Sequence, residues 1–317
     1  ELKFIPVQLA ALRLDTITNF DIYYQPSPEQ PFILYSEKNI QFSEPVRQRL
    51  VDNKLDLVYI RASQRGQFER YIEDNLPAII DDPTMKTEQK TEMLYAAACG
   101  VVECLLETPP SFDDVQRSKE VVKNTVSFML ADHKVFGCLL KAISSDYHIY
   151  SHSVNVVTYS IALAQRLGFT DAATLRELGM GAMVHDVGKS KVDPEILTSP
   201  EALTHGQWEI MKQHPQFGYD MLAATGSMGE IALDIVLHHH EKMNGAGYPD
   251  GLNAGRLSPL VRIVSIADVF DALTTDRCFQ KSRTSFKALS MMNLLTNNEL
   301  DRDLFKTFVS MMGRPFD

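Results

Sequence analysis

The side chains best suited to metal or proton chemistry are concentrated in the second half of this chain. All nine histidines follow residue 132. They are His133, His148, His152, His185, His205, His214, His238, His239 and His240. Imidazole binds divalent metals and moves protons near neutral pH. Because the first two fifths of the chain lack histidine, any such chemistry is expected in the second half.

The spacing of the first candidates allows more than one interpretation. His148 and His152 are four residues apart, so a helix would place both on one face, although such pairs more often belong to a surface or a core. His185 and Asp186 begin HDVGK directly after the apolar MGAMV. A buried imidazole beside a buried carboxylate is costly unless the two are paired or bound to metal. Both interpretations of this pair stay open.

Further candidate metal-binding side chains lie at the ends of predicted apolar helices or within them. His214 precedes a proline, and three histidines at 238–240 follow the apolar IALDIVL. Successive helical residues are about 100° apart, so three cannot all face one site. Two of them can flank one site at the end of the helix, and the third is expected to point away or to support the ligands from behind. Asp268 is a carboxylate within an apolar helix, and Asp271 follows one turn later.

Together these residues could form one metal centre contributed by at least four helices. Nitrogen and oxygen ligands without thiolate favour Fe, Mn, Zn, Co or Ni over a sulfur site. The set exceeds the needs of one ion, and a carboxylate such as Asp186 can bridge two. This pattern suits two-metal hydrolysis of a phosphate ester. The candidate ligands are His152, His185, Asp186, His214, His239, His240 and Asp268.

The elements that would position these ligands are helical. From about residue 136 to 317 the apolar residues follow a helical period, which predicts an all-α bundle. Residues 1–80 alternate short strand and helix patterns and contain no catalytic set, which predicts a small α/β regulatory domain. Residues 81–135 predict long helices that serve as a connector or as a dimer interface. The fold class is therefore mainly α, with a smaller α/β domain joined by helices.

Composition narrows the classes of partner. A net charge of −10 argues against binding of DNA or RNA polymers. The sequence contains no run of eighteen apolar residues, so we expect no membrane span. The four cysteines have no zinc-site spacing and are expected to be reduced core residues. Together with the absence of a signal-peptide pattern, these features lead us to expect a cytoplasmic protein.

Several motifs carry a resemblance to a known family. HDVGK at 185–189 and HHEKMNGAGYP at 239–249 resemble the HD-GYP family of metal-dependent phosphodiesterases. The resemblance runs from about residue 136 to 311 and includes SH at 151–152, His-Pro at 214–215 and VRIVSIADVFDALTTDR at 261–277. It implies a bacterial signalling enzyme that hydrolyses cyclic di-GMP, and some members of the family prefer cyclic GMP-AMP.

The resemblance also implies a role for individual residues. Two ions, iron or manganese, would be bridged by Asp186 and by a hydroxide that attacks phosphorus in line. One ion would bind His152, His185, Asp186 and Asp268, and the other Asp186, His214, His239 and His240. His148 is a candidate ligand for a third ion. The catalytic residues would be Lys189 and Asp186, and the substrate-binding residues Lys189, Tyr248, Arg277 and Lys281.

Three positions depart from the family pattern. His148 stands where three-metal members often have Glu, so two metals are favoured. Asn244 replaces a frequent Asp, which a turn tolerates. Gln280 replaces a common cation, for which Lys281 could substitute. The glycine-rich loop is expected to be flexible and to approach the ligand, and Tyr248 either contacts the nucleotide or only packs the loop.

The leading interpretation is hydrolysis of cyclic di-GMP to linear pGpG, with GMP as a further product. A preference for cyclic GMP-AMP is one alternative, and a catalytically weak cyclic di-GMP sensor is another. Dioxygen chemistry is disfavoured by Lys189 and the GYP loop. A homodimer and a protein partner bound by the GYP loop are further expectations.

Overall fold

A computed structural model describes residues 3–107, 110–145, 150–199, 201–275, 282–296 and 298–314. The chain divides into two compact units, Glu1–Gly100 and Val101–Asp317. It is mainly helical, and strands occur in the first unit. Over the described ranges, no helix is both long and apolar enough to cross a membrane.

The first unit contains two antiparallel sheets. A four-stranded sheet has the order β1-β6-β3-β4, and β2 pairs with β5 in a second, two-stranded sheet. The strands are β1 Phe4–Gln8, β2 Thr16–Thr18, β3 Ile22–Tyr24, β4 Ile33–Ser36, β5 Ile40–Phe42 and β6 Leu57–Arg61. The pairing register of β1 and β6 runs from Phe4 opposite Arg61 to Gln8 opposite Leu57.

Helices complete the core of the first unit. They are α1 Glu44–Asp52, α2 Arg65–Ile80 and the larger part of α3 Thr87–Glu107, and short 3-10 helices span Leu9–Ala11 and Ala62–Gln64. Apolar side chains from strands and helices are buried together, among them Phe20, Ile22, Phe42, Leu50, Ile60 and Leu76. The expected mixture of short strands and helices is therefore present.

The second unit is a bundle of helices. After α3 these are α4 Phe112–Ala131, α5 Lys134–Ser145, α6 Ser151–Arg166, α7 Ala172–Val184, α8 Pro194–Leu197, α9 His205–Met211, α10 His214–Ala224, α11 Glu230–His238, α12 Pro259–Thr274, α13 Ser285–Leu295 and α14 Arg302–Gly313. A 3-10 helix spans Val187–Lys191 between α7 and α8. The helical character expected for this half is thus observed.

Helix α6 lies at the centre of this bundle. It is buried on nearly all sides between Ser153 and Ala164 and packs against α7, α12, α14 and α5. Helix α7 also packs against α4 and α11, and α10 packs against α11 and the 3-10 helix. Gly181 allows a close approach of α7 to α11, because a Cβ at this position would lie 2.8 Å from Ile235 Cβ.

Local capping agrees in part with the sequence. Ser111 and Asp114 form a reciprocal capping box at the start of α4. Ser43 occupies the N-cap position of α1, but its side chain makes no capping hydrogen bond. Strand β2 begins at Thr16, after the 3-10 helix Leu9–Ala11 and after Asp15, which adopts a φ of 60°.

Several expectations concern features beyond these observations. The division at residues 80 and 135, the regulatory role of the first domain and the dimer stay predictions. Cys99 and Cys138 are buried, and Cys104 is half-buried. His148, Arg277, Cys278, Gln280 and Lys281 lie outside the described residues.

Candidate metal centre

Four helix ends and the middle of a fifth helix meet at one place in the second unit. His152 lies in the first turn of α6, His185 ends α7, His214 begins α10 and His239 ends α11. Asp268 comes from the interior of α12. Helix ends leave backbone groups without intrahelical partners, so side chains here can bond to the backbone and still reach a common centre.

Three of these histidines are held by one repeated contact. In each, ring Nδ1 donates to the carbonyl three residues earlier, near the end of a helix. These contacts are His185 to Ala182 at 2.8 Å, His214 to Met211 at 2.8 Å and His239 to Val236 at 2.9 Å. Because a carbonyl can only accept, Nδ1 carries the proton and Nε2 of the neutral ring keeps its lone pair. The backbone therefore selects the tautomer that a metal requires.

The ligand-type atoms form two groups. Within each group, one ligand atom from every residue lies within 4.8 Å of the others. The groups are His152, His185 and Asp268, and Asp186, His214, His239 and His240. They have the same members as the two sets implied by the family resemblance, with one difference. The resemblance gives Asp186 to both sets, whereas the distance criterion places it in one group.

Asp186 lies between the two groups and faces both. Its Oδ1 is 3.3 Å from Nε2 of His214, while its Oδ2 is 3.4 Å from Nε2 of His185 and 3.7 Å from Nε2 of His152. One carboxylate oxygen is thus directed to each group, which is the arrangement of a bridging ligand.

The donor set fits divalent cations. Nε2 of His152, Nε2 of His185 and Oδ1 of Asp186 are buried and have no hydrogen-bond partner within the described part of the chain. Nε2 of His214 and Nε2 of His239 face each other at 3.3 Å, although both rings already use their protons on carbonyls. Where both rings are neutral, these two atoms carry opposed lone pairs that repel each other, and a cation bound by both removes this repulsion. The nitrogen and oxygen donors suit a divalent metal.

Burial and neighbouring charges keep two of the candidate ligands neutral. Burial, reinforced by neighbouring histidines, holds the pKa of His239 well below its ordinary value. Burial also lowers the pKa of His240 to about 3, although Asp268 opposes the shift. For His152, burial opposes protonation, but Asp268 and Asp271 outweigh it and raise the pKa to about 9. The carboxylates thus favour positive charge at His152, which a bound cation also supplies.

Asp271 is a positioning residue that the sequence analysis noted but did not assign to the site. Its Oδ2 accepts from Nδ1 of His152 at 2.6 Å, and its Oδ1 accepts from the side-chain amide of Asn155 at 2.8 Å. The contact fixes His152 with Nε2 towards the centre. The only sequence signal was the spacing of Asp271, one turn after Asp268 on the same apolar helix. Nothing in the sequence indicated Asn155.

Lys189 lies beside the bridging carboxylate. Its Nζ is 2.5 Å from Oδ2 of Asp186, and its side chain is 28% exposed on the wall of a cavity. Burial raises the pKa of Asp186, but Lys189 and the nearby histidines outweigh this effect and keep the carboxyl ionised. Gly188 is required here, because a Cβ would overlap the carbonyl oxygen of His214.

The glycine-rich loop is organised by Glu241, which the sequence analysis did not assign. The buried Glu241 carboxylate accepts backbone N–H groups of Asp250, Gly251 and Leu252 at 2.7, 2.8 and 2.9 Å. Gly247 is needed because a Cβ would overlap the backbone of Glu241. This glycine therefore permits close packing within the loop, and the flexibility expected of the loop stays a prediction.

The loop brings Tyr248 close to the candidate metal ligands. Its ring lies 4.9 Å from that of His240 and 6.3 Å from that of Trp208, measured between centroids. All three line a cavity of about 1370 Å³. Asp186, Lys189, His152 and His214 also reach this cavity, so the candidate metal ligands border a space large enough for a nucleotide ligand.

His238 lies apart from this arrangement. Its Nδ1 is 2.7 Å from Oδ1 of Asp234, and its Nε2 is 3.2 Å from Oδ2 of Asp250. Both ring nitrogens therefore contact carboxylates that belong to neither group of candidate ligands. The candidate ligand His148 and the candidate substrate contacts Arg277 and Lys281 are outside the described residues.

Comparison with known families agrees with this geometry. Residues 129–304 match the HD domain family, which is more than half of the chain. The chain belongs to the HD-GYP family. HDVGK supplies the His-Asp pair that faces the two ligand groups, and Gly247, Tyr248 and Pro249 supply the second motif of this HD-GYP chain.

Curated relatives carry related names. Cyclic di-GMP phosphodiesterase PA4108 of Pseudomonas aeruginosa is 34% identical over 200 residues, which cover 63% of this chain and 48% of that protein. Cyclic di-GMP phosphodiesterase response regulator RpfG of Xanthomonas campestris is 38% identical, with 41% of this chain and 34% of that protein covered. The 3'3'-cGAMP-specific phosphodiesterase 3 of Vibrio cholerae is 31% identical, and the match covers 54% of this chain and 36% of that protein. The HD-GYP chain thus spans less than half the length of each of these relatives.

A solved structure shares the fold. Bd1817, an HDG"Y"P protein of Bdellovibrio bacteriovorus, is similar with a TM-score of 0.69 over 98% of this chain and 100% of that one. The sequence identity is 23%, so the likeness supports the fold.

Proposed function

We propose that this HD-GYP chain is a metal-dependent phosphodiesterase that hydrolyses cyclic di-GMP. The proposal rests on one observation above all. Asp186 directs one oxygen to each of two groups of ligand-type side chains, at the wall of a cavity that also contains Lys189. A pair of metal sites beside a nucleotide-sized space suits hydrolysis of a phosphate diester. The names of the curated relatives favour a cyclic dinucleotide as substrate.

The first ion would be held by His152, His185, Asp186 and Asp268, and the second by Asp186, His214, His239 and His240. When bound, divalent ions supply Lewis acidity towards phosphate oxygens and lower the pKa of water. Iron and manganese are the proposed metals, and the proposed number is two.

The remaining chemistry is assigned to side chains of the chain itself. Lys189 places an ammonium group at the cavity wall, where it would bind a phosphate oxygen and balance the charge that develops on it. Tyr248 lies beside His240 and is placed to contact the sugar or base. In the overall reaction, water adds to phosphorus, the bond from phosphorus to the ribose 3'-oxygen breaks, and the released 3'-oxygen gains a proton. The proposed product is pGpG, with GMP after a second hydrolysis.

The test is to supply metal-depleted full-length protein with Fe²⁺ or Mn²⁺ under anaerobic conditions. Cyclic di-GMP is then added, and products are separated by chromatography. We expect linear pGpG with at least one metal and no product without metal. Lys189→Ala should keep its metal and slow turnover strongly, because one charged contact to the transition state is lost. Nucleotide that binds without conversion would instead identify a sensor.

A preference for cyclic GMP-AMP is the second candidate, favoured by the similarity to a Vibrio cholerae enzyme of that name. Turnover of the two substrates is compared as kcat/KM on the same sample. A higher value for cyclic GMP-AMP would replace cyclic di-GMP as the proposed substrate without changing the proposed reaction.

A further inference from the structure

Arg283 is a half-buried cation on the wall of the same cavity. It directly precedes Thr284, the N-cap of α13. Its Nη1 atom is buried, and none of the described residues accepts a hydrogen bond from it. A guanidinium stays charged at every physiological pH, and a buried charge without a partner is costly. The arginine therefore combines a buried donor that the described protein groups leave unpaired with a position on the cavity wall.

The nearby carboxylates are already engaged. Asp271 accepts hydrogen bonds from His152, Asn155 and the Thr275 hydroxyl, at 2.6, 2.8 and 3.1 Å. Asp186 pairs with Lys189. Within the described ranges, neither carboxylate forms an ion pair with Arg283. An anion that enters the cavity is thus a better candidate partner than the acidic side chains of the site.

The backbone places Arg283 near the candidate metal centre. Its N–H donates to the carbonyl of Leu273 at 2.9 Å, at the carboxyl end of α12. Asp268 precedes Leu273 by five residues on this helix, a rise of roughly 7.5 Å. Thr284 and Ser285 also line the cavity, so the amino end of α13 lies at its wall. The unpaired amides of a helix start carry partial positive charge, which adds to the attraction for an anion.

We propose that Arg283 binds the second phosphate of the cyclic dinucleotide, the phosphate that is not undergoing hydrolysis. This inference rests on the proposed function. A cyclic dinucleotide carries two phosphodiester anions on opposite sides of one ring. With the reacting phosphate at Lys189 and the metal groups, the other anion needs a second cation within the same cavity. Arg283 supplies it, and the residue thereby selects dinucleotides over substrates with one phosphate.

The first test measures binding without turnover. Metal-free full-length protein is dialysed to equilibrium against labelled cyclic di-GMP, for wild type, Arg283→Ala and Arg283→Gln. Loss of a charge-assisted contact should weaken binding by about tenfold to a hundredfold in both variants. Lys287→Ala is the matched control, because it removes an exposed cation from the same segment and does not line the cavity. Equal affinity for wild type and both Arg283 variants overturns the inference, as does a wild type that binds no nucleotide.

The second test uses substrates with one and two phosphates on metal-loaded protein. Arg283→Ala should raise KM for cyclic di-GMP by about tenfold or more, with kcat little changed. Its turnover of bis(p-nitrophenyl) phosphate, which has a single phosphate, should equal that of wild type, as should its metal content. Arg283→Lys should recover part of the loss. An equal loss with both substrates would overturn the inference, because Arg283 would then act through the metal centre or the fold.

The two proposals fail in different ways. If wild type binds cyclic di-GMP but never cleaves it, while Arg283→Ala binds it weakly, the phosphodiesterase proposal is wrong and the phosphate contact stands. If wild type cleaves cyclic di-GMP and Arg283→Ala has the same KM as wild type, the phosphodiesterase proposal stands and the phosphate contact of Arg283 is wrong.

Discussion

His152 and Asp271 are joined by a 2.6 Å hydrogen bond between ring Nδ1 and carboxylate Oδ2, which connects α6 to α12. The bond leaves Nε2 of His152 to face Asp268 and Asp186 at 3.2 and 3.7 Å. Carboxylates behind metal-binding histidines fix the ring and increase its basicity. The orientation of one candidate ligand therefore depends on a residue that would not itself touch the metal.

We expect Asp271→Asn to weaken metal binding about tenfold to a hundredfold while the fold is retained. The check is a metal titration by competition with a chelator, together with circular dichroism. Asp234→Asn is the matched control, because it removes a carboxylate from His238, which is not a candidate ligand. Equal metal affinity in wild type and Asp271→Asn would contradict the positioning role.

Glu241→Gln should destabilise the glycine-rich loop. One carboxylate oxygen accepts the N–H groups of Asp250 and Gly251 and the other accepts that of Leu252, whereas an amide has one oxygen and must direct its NH₂ group towards at least one of these donors. We expect a loss of about 2–3 kcal/mol in the free energy of unfolding and faster proteolysis within residues 242–251. The control Glu299→Gln breaks a half-exposed pair with Lys242 and should cost less than about 1 kcal/mol. Similar costs for both variants would show that Glu241 does not organise the loop.

Gly188→Ala should push the 3-10 helix Val187–Lys191 away from α10. The new Cβ overlaps the carbonyl oxygen of His214, which is backbone and cannot rotate away. We expect a destabilisation of about 1–3 kcal/mol or more, and weaker binding of the ion assigned to His214. Gly206→Ala is the control, because its Cβ would have no neighbour within 4 Å. Denaturant unfolding compares the two, and an equally stable Gly188→Ala protein would contradict the close packing.

The capping box of α4 predicts a pH-dependent contribution to stability. Burial raises the pKa of Asp114, but hydrogen bonds from Ser111 and the charge of Arg117 outweigh it, so the pKa is lowered. A lowered folded-state pKa contributes stability above the unfolded value, near 4, that is lost as the pH falls through the folded value. Asp114→Asn should thus cost about 1 kcal/mol at pH 7 and less at pH 3.

Urea unfolding at both pH values measures this difference. Glu120→Gln on the same helix is the control, because its pair with Lys123 is exposed and should contribute little at either pH. A cost of Asp114→Asn that stays constant between pH 7 and pH 3 would exclude ionisation of Asp114 as its source.

The sequence predicted the helical bundle and the residues that meet at its centre, because both leave local signals. Apolar periodicity marks the helices, and HDVGK with HHEKMNGAGYP marks their ends. The partner of His152 left no such signal. Asp271 lies 119 residues further along the chain, and the choice of this carboxylate depends on how α6 packs on α12.

The loop shows a second limit of sequence reasoning. A glycine in a sequence can indicate a flexible backbone or a position where other atoms pack closely against it. Which of these applies depends on the atoms that lie next to the missing Cβ, and these are known only from the structure. At Gly247 the neighbour is the backbone of Glu241. Likewise, nothing local to Arg283 indicates that this residue lines the cavity beside the candidate metal ligands, since the fold of α12 and α13 places it there.

The most direct measurement is the number of ions bound per chain, determined by elemental analysis after anaerobic reconstitution with iron or manganese. Two groups bridged by Asp186 predict two ions in wild type and about one in each of His185→Ala and His214→Ala. Wild type that binds no metal under either supply would contradict the assignment of the ligands. A wild type with one ion, lost in both variants alike, would contradict the bridging role of Asp186.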